Sequence, residues 1–145
     1  MNDFSPEVRN TGIWATDARK IVTGRASEVY LERTGQLEQP DLSDVEPVQW
    51  GLRLQEPIAR AAADRLRLNI KEADYAMTHP KHAWMKSHFD YITEDGQTLL
   101  EIKNYNAFKA NKYGDDGSNL VPADDMAQCL HEATVHGVDK VILCV

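Results

Sequence analysis

The chain has 145 residues, of which 42% are hydrophobic and 27% charged, and its formal net charge is −7 at pH 7. These values indicate one ordinary globular domain over residues 1–145 and exclude a fibrous, disordered or comfortably two-domain protein. No window reaches the ~18 apolar residues of a membrane span and the N-terminus lacks a signal peptide, so we expect a cytoplasmic protein without a membrane partner.

The sequence of the N-terminal third predicts short helices followed by a loop. Residues 12–23 and 27–35 have helical patterns, with Ser27 as the N-cap of the second helix and Gly35 as its C-terminal stop. Residues 36–47 are polar and contain proline, which predicts a loop.

A long amphipathic helix is predicted from Trp50 onwards. Pro57 is tolerated best in a first turn, so the regular part of the helix is expected to begin near it, with the preceding turn kinked or separate. Apolar residues at three-to-four spacing predict the stripe that faces the core, formed by Leu54, Ile58, Ala61, Ala62 and Leu66.

A β-hairpin is the clearest local prediction in the second half. Residues 88–104 contain two strands around Asp95-Gly96, a dipeptide that supplies the positive φ angles of a tight two-residue turn. A helix should follow over 123–136, stopped by Gly137, with an apolar face on the core. That predicted face comprises Met126, Cys129, Leu130 and Ala133.

The C-terminal residues predict a buried strand that pairs in parallel with residues 98–104. A strand, a crossover helix and a second strand imply parallel pairing, so the sheet is mixed and the class is α/β. Cys129 and Cys144 lie in apolar patterns, which predicts reduced thiols rather than a disulfide or a zinc site. Nothing in the sequence follows the last strand to cover it, so we expect either an early chain end or a further C-terminal segment.

Two carboxylates face each other across the hairpin in the register that a two-residue turn imposes. Ile92 then lies opposite Leu99, and Asp90 lies opposite Glu101. Directly opposed like charges destabilise a sheet unless something compensates them, and a divalent cation does so. Lys103 shares the face of Glu101, so an acid pair and an amine converge, as phosphodiester hydrolysis requires. The alternative is three ordinary charges on the solvent face of a hairpin, with Lys103 paired to one acid.

The segment from Asp90 to the Glu101-Ile102-Lys103 tripeptide resembles the PD-(D/E)xK nuclease signature. Its context is similar to the YqaJ-like viral recombinase family, to which phage lambda exonuclease belongs, and the resemblance covers nearly the whole chain from about residue 9. The stretches that carry it are TGIWATDARKIV, ASEVYLERTG, VQWGLRLQEPIARAAADRL, HPKHAWMKSHFDYI, LLEIK and MAQCLHEATVHG. The resemblance implies a restriction-endonuclease-like core with a mixed central sheet flanked by helices.

The resemblance also implies roles for individual residues. Asp90 and Glu101 match metal ligands, Ile102 would lend its backbone carbonyl, and Lys103 matches the catalytic lysine. Glu56 matches a further metal-binding carboxylate on the long helix. Gln128 matches a glutamine near the scissile phosphate. The implied cofactor is Mg²⁺, with Mn²⁺ as a substitute.

Three positions depart from the family pattern. Phe89 replaces the proline of the motif, a common change. Many relatives place the helix acid four residues after the glycine equivalent to Gly51, and that position holds Gln55, so either Gln55 or Glu56 occupies the acid position. Thr16-Asp17 stands where relatives have Ser-Asp, which preserves a hydroxyl for phosphate.

Several basic residues are candidate DNA contacts. Near the N-terminus, Arg9 and Lys20 join Thr16 and Asp17 as candidates for the DNA backbone or a terminal phosphate. Lys109 and Lys112 follow the catalytic strand and could clamp DNA, although an exposed loop explains them equally well.

Histidines and tryptophans near the predicted site have simpler explanations. His79, His82 and His88 lack the spacing of a zinc site, so loop histidines or a phosphate contact are expected, with His88 beside the metal. The sequence contains three tryptophans, and core packing is predicted for at least two of them rather than stacking on bases.

These features predict a Mg²⁺-dependent double-strand DNA exonuclease of phage recombination type, acting on linear duplex ends. The acidic net charge counts against a nucleic-acid partner, but carboxylates that hold divalent cations count as negative until metal binds. The alternatives are an inactive DNA-binding or protein-interaction module on the nuclease fold and a structure-selective endonuclease. The resemblance further suggests a ring-shaped homo-oligomer, a single-strand annealing protein as partner, and a bacterial or phage origin.

Overall fold

The computed structural model describes residues 5–145, which form six helices and seven strands. Residues 1–4, part of the stretch on which the absence of a signal peptide was predicted, lie outside the described residues. The helices are α1 (Pro6–Arg9), α2 (Ala15–Val22), α3 (Ala26–Arg33), α4 (Glu46–Leu66), α5 (Ala107–Ala110) and α6 (Ala123–His136). The strands are β1 (Ile13–Trp14), β2 (Ile70–Glu72), β3 (Ala76–Thr78), β4 (Met85–His88), β5 (Tyr91–Thr93), β6 (Thr98–Ile102) and β7 (Lys140–Cys144).

The strands form two mixed sheets. The larger sheet has the order β2-β5-β6-β7, and its only parallel pair is β6 with β7, from Thr98 opposite Lys140 to Ile102 opposite Cys144. The smaller sheet has the order β1-β4-β3. The predicted α/β class and the parallel crossover through α6 are therefore confirmed.

Side-chain alternation along β6 separates two cores on opposite faces of the larger sheet. Leu99 packs with Val135 of α6, whereas Leu100 and Ile102 pack with Ala59 of α4. Glu101 is two residues from Leu99 and thus shares the α6 face. The same alternation that buries three apolar residues of β6 therefore directs a carboxylate towards α6.

The hairpin has the predicted register but a longer turn. Ile92 lies opposite Leu99 and Tyr91 opposite Leu100. The strands end at Thr93 and Thr98, and only Gly96 in the turn has a positive φ, of 72°. Hydrogen bonds through the Thr93 hydroxyl replace the innermost strand pair. The predicted two-residue turn is wrong, but the four-residue loop keeps the same pairing.

The N-terminal helix boundaries were predicted incorrectly. Residues 13–14 form β1 instead of helix, because they pair with β4, and the Ile13 N–H donates to the Trp84 carbonyl at 2.6 Å. Arg25, not Ser27, is the N-cap of α3, so Ser27 lies within the helix.

Helix α4 is continuous through Pro57, contrary to the predicted start there. It begins at Glu46, and Pro57 lies on its exposed side, where the carbonyl left without an N–H partner can be hydrated. The predicted stripe is only partly correct: Ile58 and Ala62 pack against the core, while Leu66 is exposed. Among the described residues of the helix, the buried ones are Ala59 and Ala63.

Helix α6 has the predicted limits and the predicted Gly137 stop, with a φ of 86°, but the opposite face is buried. Leu130, predicted to be in the core, is 60% exposed. The buried residues of α6 are Asp125, Gln128, His131, Glu132 and Val135. Four of these five are polar, so this helix carries a buried polar surface against the sheet and α2.

No helix within residues 5–145 combines the length and apolarity needed to cross a membrane.

Candidate active site

A cleft of about 900 Å³ opens between α2, the N-terminal half of α4, the hairpin and α6. Three polar residues of the hairpin line it, Asp90, Glu101 and Lys103, together with Gln128 and Glu132 of α6. We call these five residues the carboxylate cluster. The predicted convergence of Asp90, Glu101 and Lys103 is thus present in the structure.

Asp90 lies in the two-residue break between β4 and β5. Its Oδ2 accepts a hydrogen bond from the Ile102 backbone N–H at 2.9 Å, which ties it to the strand that carries Glu101. Burial, followed by the charge of Glu101, raises the pKa of Asp90 to about 7. The pair therefore has the unfavourable proximity expected of two carboxylates that await a cation.

Lys103 lies against Glu101, with 2.6 Å between the lysine Nζ and the glutamate Oε1. Burial alone would lower the pKa of Lys103, but the charge of Glu101 and the hydrogen bond to it raise the pKa above its ordinary value. Lys103 is accordingly an ammonium at neutral pH.

Gln128 connects the lysine to the acids. Its Oε1 accepts from Lys103 at 2.9 Å, while its Nε2 donates to Glu101 at 2.6 Å and to Glu132 at 2.9 Å. Gln128 therefore lies against the strand that carries Glu101, and its place near a scissile phosphate stays a prediction.

Glu132 is a member of the cluster that sequence reasoning missed. It is 2% exposed, and burial together with the charge of Glu101 raises its pKa well above the ordinary value. Its position four residues after Gln128 places both side chains on one helix face, and this spacing is the feature of the sequence that could have identified Glu132 as a site residue.

Arg19 of α2 was also missed, and it borders the cluster. Its guanidinium donates to Gln128 Oε1 at 3.2 Å and forms ion pairs with Asp124 and Asp125. Asp125 is fully buried and also accepts from the hydroxyls of Tyr105 and Tyr113. This network fastens the segment after β6 to α2 and α6.

Glu56, predicted as a metal ligand, is not brought to the cluster. Its side chain is 61% exposed, forms an ion pair with Arg60 at 2.7 Å, and lines an adjoining pocket beside β2 that shares Leu52, Gln55 and Glu72 with the cleft. Gln55 is the neighbour that lines the cleft. Successive side chains on a helix are rotated by about 100°, so Gln55 reaches both the cleft and the pocket, whereas Glu56 lines the pocket alone.

The N-terminal candidates divide into cleft residues and one structural residue. Arg9 and Thr16 line the cleft and are joined by a hydrogen bond of 3.0 Å, and Lys20 also lines it while pairing with Glu32. Asp17 does not line the cleft. It is 1% exposed and accepts two hydrogen bonds of 2.9 Å from Arg33, so its carboxylate supports the fold.

The two lysines after β6 have different positions. Lys109 lines the cleft, with its Nζ 3.6 Å from the centre of the Tyr105 ring. Lys112 is exposed and is not among the residues that line the cleft.

Aromatic residues near the site differ in burial. Trp14 is buried and stacks on His88, which lines the cleft, with 4.7 Å between the ring centres. Trp50 and Trp84 are 46% and 56% exposed, so the prediction that at least two tryptophans pack in the core is wrong. His79 and His82 stack on each other in the loop before β4.

The cluster supplies the donor chemistry that a hard divalent cation prefers. No group of three or more His, Cys, Asp or Glu side chains in residues 5–145 forms a ready ion-binding set. Mg²⁺ does not need one, because it keeps several waters and is held by one or two carboxylates. Asp90 and Glu101, with too few positive partners of their own, fit that requirement.

Comparisons with known proteins identify related sequences and folds. The family model of the YqaJ-like viral recombinase domain matches residues 6–139. No curated protein matches the sequence. The fold is similar to that of an alkaline exonuclease, LHK-Exo, from Laribacter hongkongensis, with a TM-score of 0.69 and 17% identity over 91% of this chain and 67% of that one. LHK-Exo in complex with dAMP gives a TM-score of 0.68 and 18% identity, over 90% of this chain and 67% of that one. The likeness is consistent with the predicted restriction-endonuclease-like core.

Proposed function

The chain belongs to the YqaJ-like viral recombinase family, and from this premise we propose that it is a metal-dependent nuclease of the phage exonuclease type that hydrolyses DNA. The observation that carries the proposal is the pair of carboxylates, half-buried Asp90 and buried Glu101, beside the ammonium of Lys103 in an open cleft. The exonuclease named among the structural relatives, which has been seen with dAMP, supports DNA as the substrate class.

Asp90 and Glu101 would hold a Mg²⁺ ion, or Mn²⁺ in its place, together with the backbone carbonyl of Ile102. The ion supplies a bound water of lowered pKa and offsets the charge that develops on the phosphate. Glu56 is left out of this ligand set because its side chain points away from the cleft.

The remaining residues of the cleft orient the reactants. Lys103, held as an ammonium by Glu101, orients the attacking water and stabilises negative charge on the phosphoryl oxygens. Gln128 fixes Lys103 relative to Glu101 and helps to place the scissile phosphate. Arg9, Thr16, Lys20 and Lys109 contact phosphates along the walls of the cleft. This local positive charge meets DNA even though the chain as a whole is acidic.

We propose linear duplex ends as the substrate. The ring-shaped homo-oligomer, the annealing partner and the cytoplasmic location stay predictions from the family resemblance.

A DNA-binding module without turnover is the second candidate, and one observation favours it. The helix position that faces the cleft carries Gln55, an amide, while the carboxylate of Glu56 faces solvent. A cluster with too few ligands would bind DNA but neither Mg²⁺ nor Mn²⁺. Calorimetric titration with each ion separates the candidates, since the nuclease binds at least one ion.

Digestion of end-labelled linear duplex DNA tests the nuclease proposal. We expect loss of the linear duplex with Mg²⁺ and none with EDTA, and Asp90→Asn should slow it by at least about a thousandfold. Asp64→Asn, an exposed acid of α4, is the matched control and should cleave like the wild type. Cleavage of a covalently closed circle would indicate an endonuclease, and absence of cleavage in every condition would contradict the proposal.

A further inference from the structure

The side-chain amide of Gln128 is hydrogen bonded at both of its ends to ionisable side chains. Its Oε1 accepts from Lys103 at 2.9 Å and from Arg19 at 3.2 Å. Its Nε2 donates to Glu101 at 2.6 Å and to Glu132 at 2.9 Å. The oxygen thus faces two cations and the nitrogen faces two carboxylates.

This arrangement selects one of the two amide orientations. Rotating the amide by half a turn would place its oxygen against two carboxylates and its NH₂ group against two cations. The contacts with Lys103, Arg19 and Glu101, which is itself paired with Lys103, would become unfavourable. Glu101 and Glu132, the two acceptors of Nε2, therefore hold an amide whose oxygen accepts from Lys103.

Glu132 differs from Glu101 in its surroundings. Glu101 has Lys103 as a direct ion-pair partner, whereas Glu132 accepts a hydrogen bond from the Gln128 amide and lies beside the Glu101 carboxyl group. Glu132 is 2% exposed, so its carboxyl group is kept from water in the wall of the cleft. A buried polar group of this kind is costly unless its hydrogen bond serves the fold or the site.

We propose that Glu132 is a positioning residue, which fixes the Gln128 amide so that its oxygen holds the Lys103 ammonium against the reacting phosphate. Glu132 acts through Gln128 and does not touch the substrate itself. The part of this inference that concerns catalysis rests on the nuclease function proposed above, but the orientation of the amide does not.

Two substitutions separate positioning from charge and from packing. Glu132→Gln keeps an oxygen that can accept from Gln128, whereas Glu132→Met keeps similar volume without an acceptor. We expect Glu132→Met to lower kcat by ~10–100-fold with KM for DNA changed by less than about twofold, because loss of such supporting contacts costs this much activity. Glu132→Gln should stay within about threefold of wild-type kcat. Leu130→Met, on the exposed side of α6, is the control that should change neither constant.

A measurement that does not need activity accompanies the kinetics. In the wild type with EDTA, both Nε2 protons of Gln128 are hydrogen bonded, so their NMR signals should be shifted and protected from exchange. Glu132→Met should release one of the two protons, and Glu132→Gln should restore it. The Gln128 signals are assigned by their loss in Gln128→Leu.

Three results would overturn the proposal. The first is a wild-type kcat in Glu132→Met. The second is an equal loss of kcat in Glu132→Gln and Glu132→Met, which would show that the negative charge itself is required. The third is an unchanged Gln128 amide signal in Glu132→Met. A wild-type chain without nuclease activity would contradict the proposed function, while the NMR comparison would still decide whether Glu132 orients the amide.

Discussion

Two buried polar clusters lie on either side of the cleft, and they differ in how their charges are matched. In the N-terminal cluster of Asp17, Lys20, Glu32 and Arg33, each buried acid has its own cation: Asp17 pairs with Arg33, and Glu32 with Lys20. In the carboxylate cluster, Lys103 is the one cation beside three acids, and its ion pair is with Glu101. The neighbouring Arg19 forms its ion pairs with Asp124 and Asp125.

The difference indicates that the N-terminal cluster supports the fold, whereas the carboxylate cluster has a charge imbalance that a bound cation would relieve. A matched buried pair needs nothing further, and removing one partner leaves an uncompensated charge. An excess of buried acid disfavours the charged state, as the pKa of about 7 for Asp90 indicates, and a divalent cation would correct it. Charge matching thus distinguishes Asp17 from Asp90, the proposed metal ligand, although the sequence predicted both as site residues.

Neutralising one acid in each cluster should give the largest difference in the free energy of unfolding between the two clusters. Asp17→Asn should lower the free energy of unfolding by about 3 kcal/mol or more, because Arg33, with a side chain only 8% exposed, loses its partner. Asp90→Asn should leave the free energy of unfolding unchanged or raise it, because the substitution removes an acid that Glu101 repels. Urea unfolding of both variants in EDTA at neutral pH measures the two changes.

Equal destabilisation by the two substitutions would break the comparison, since it would mean that both clusters support the fold alike. Asp139→Asn, an exposed acid before β7, serves as the control and should change stability by less than about 0.5 kcal/mol.

A divalent cation should sharpen the contrast with a smaller effect. Mg²⁺ or Mn²⁺ at tenfold its Kd should stabilise the wild type by about 1.4 kcal/mol, a rise of roughly 4 °C in Tm. The rise should vanish in Asp90→Asn. In Lys20→Met, which removes a cation of the N-terminal cluster and leaves the carboxylate cluster intact, the ion should still produce the full rise above that variant's own Tm. Thermal unfolding monitored by circular dichroism gives these values, and a rise that survives in Asp90→Asn would move the ion away from the carboxylate cluster.

Local patterns were sufficient to predict the elements that present the site. In an antiparallel hairpin the two residue numbers of every pair have the same sum, so the predicted register is correct even though the predicted turn is too short. That register directs Asp90 towards Glu101. The limits of α6 follow from its capping signals, and parallel pairing of β6 with β7 follows from the crossover. The small sheet was missed because β1 is two residues long and is defined by its partner β4 rather than by its own pattern.

The rest of the site could not be predicted because it breaks the usual rule of burial. Hydrophobicity predicted that Leu130 is buried, but α6 buries Gln128 and Glu132 instead. Polar residues on a buried face become recognisable only when their partners on other elements are known, as with Arg19, which lies more than a hundred residues earlier. Buried polar networks of this kind are where sequence reasoning is expected to fail.

The orientation of α4 makes the smallest and most specific prediction. Glu56 forms an exposed i,i+4 ion pair with Arg60, so Glu56→Gln should lower the free energy of unfolding by no more than about 0.5 kcal/mol. The same substitution should leave ion affinity and DNA cleavage within twofold of the wild type. Gln55 faces the cleft, so Gln55→Glu adds a carboxylate to the cluster and should raise Mn²⁺ affinity about tenfold in calorimetric titration without DNA. The reverse outcome, with ion binding lost in Glu56→Gln and unchanged in Gln55→Glu, would require α4 to turn by about 100° when the ion binds. In that case Glu56 would belong to the carboxylate cluster, and the excess of acids over cations in that cluster would be larger with the ion bound than without it.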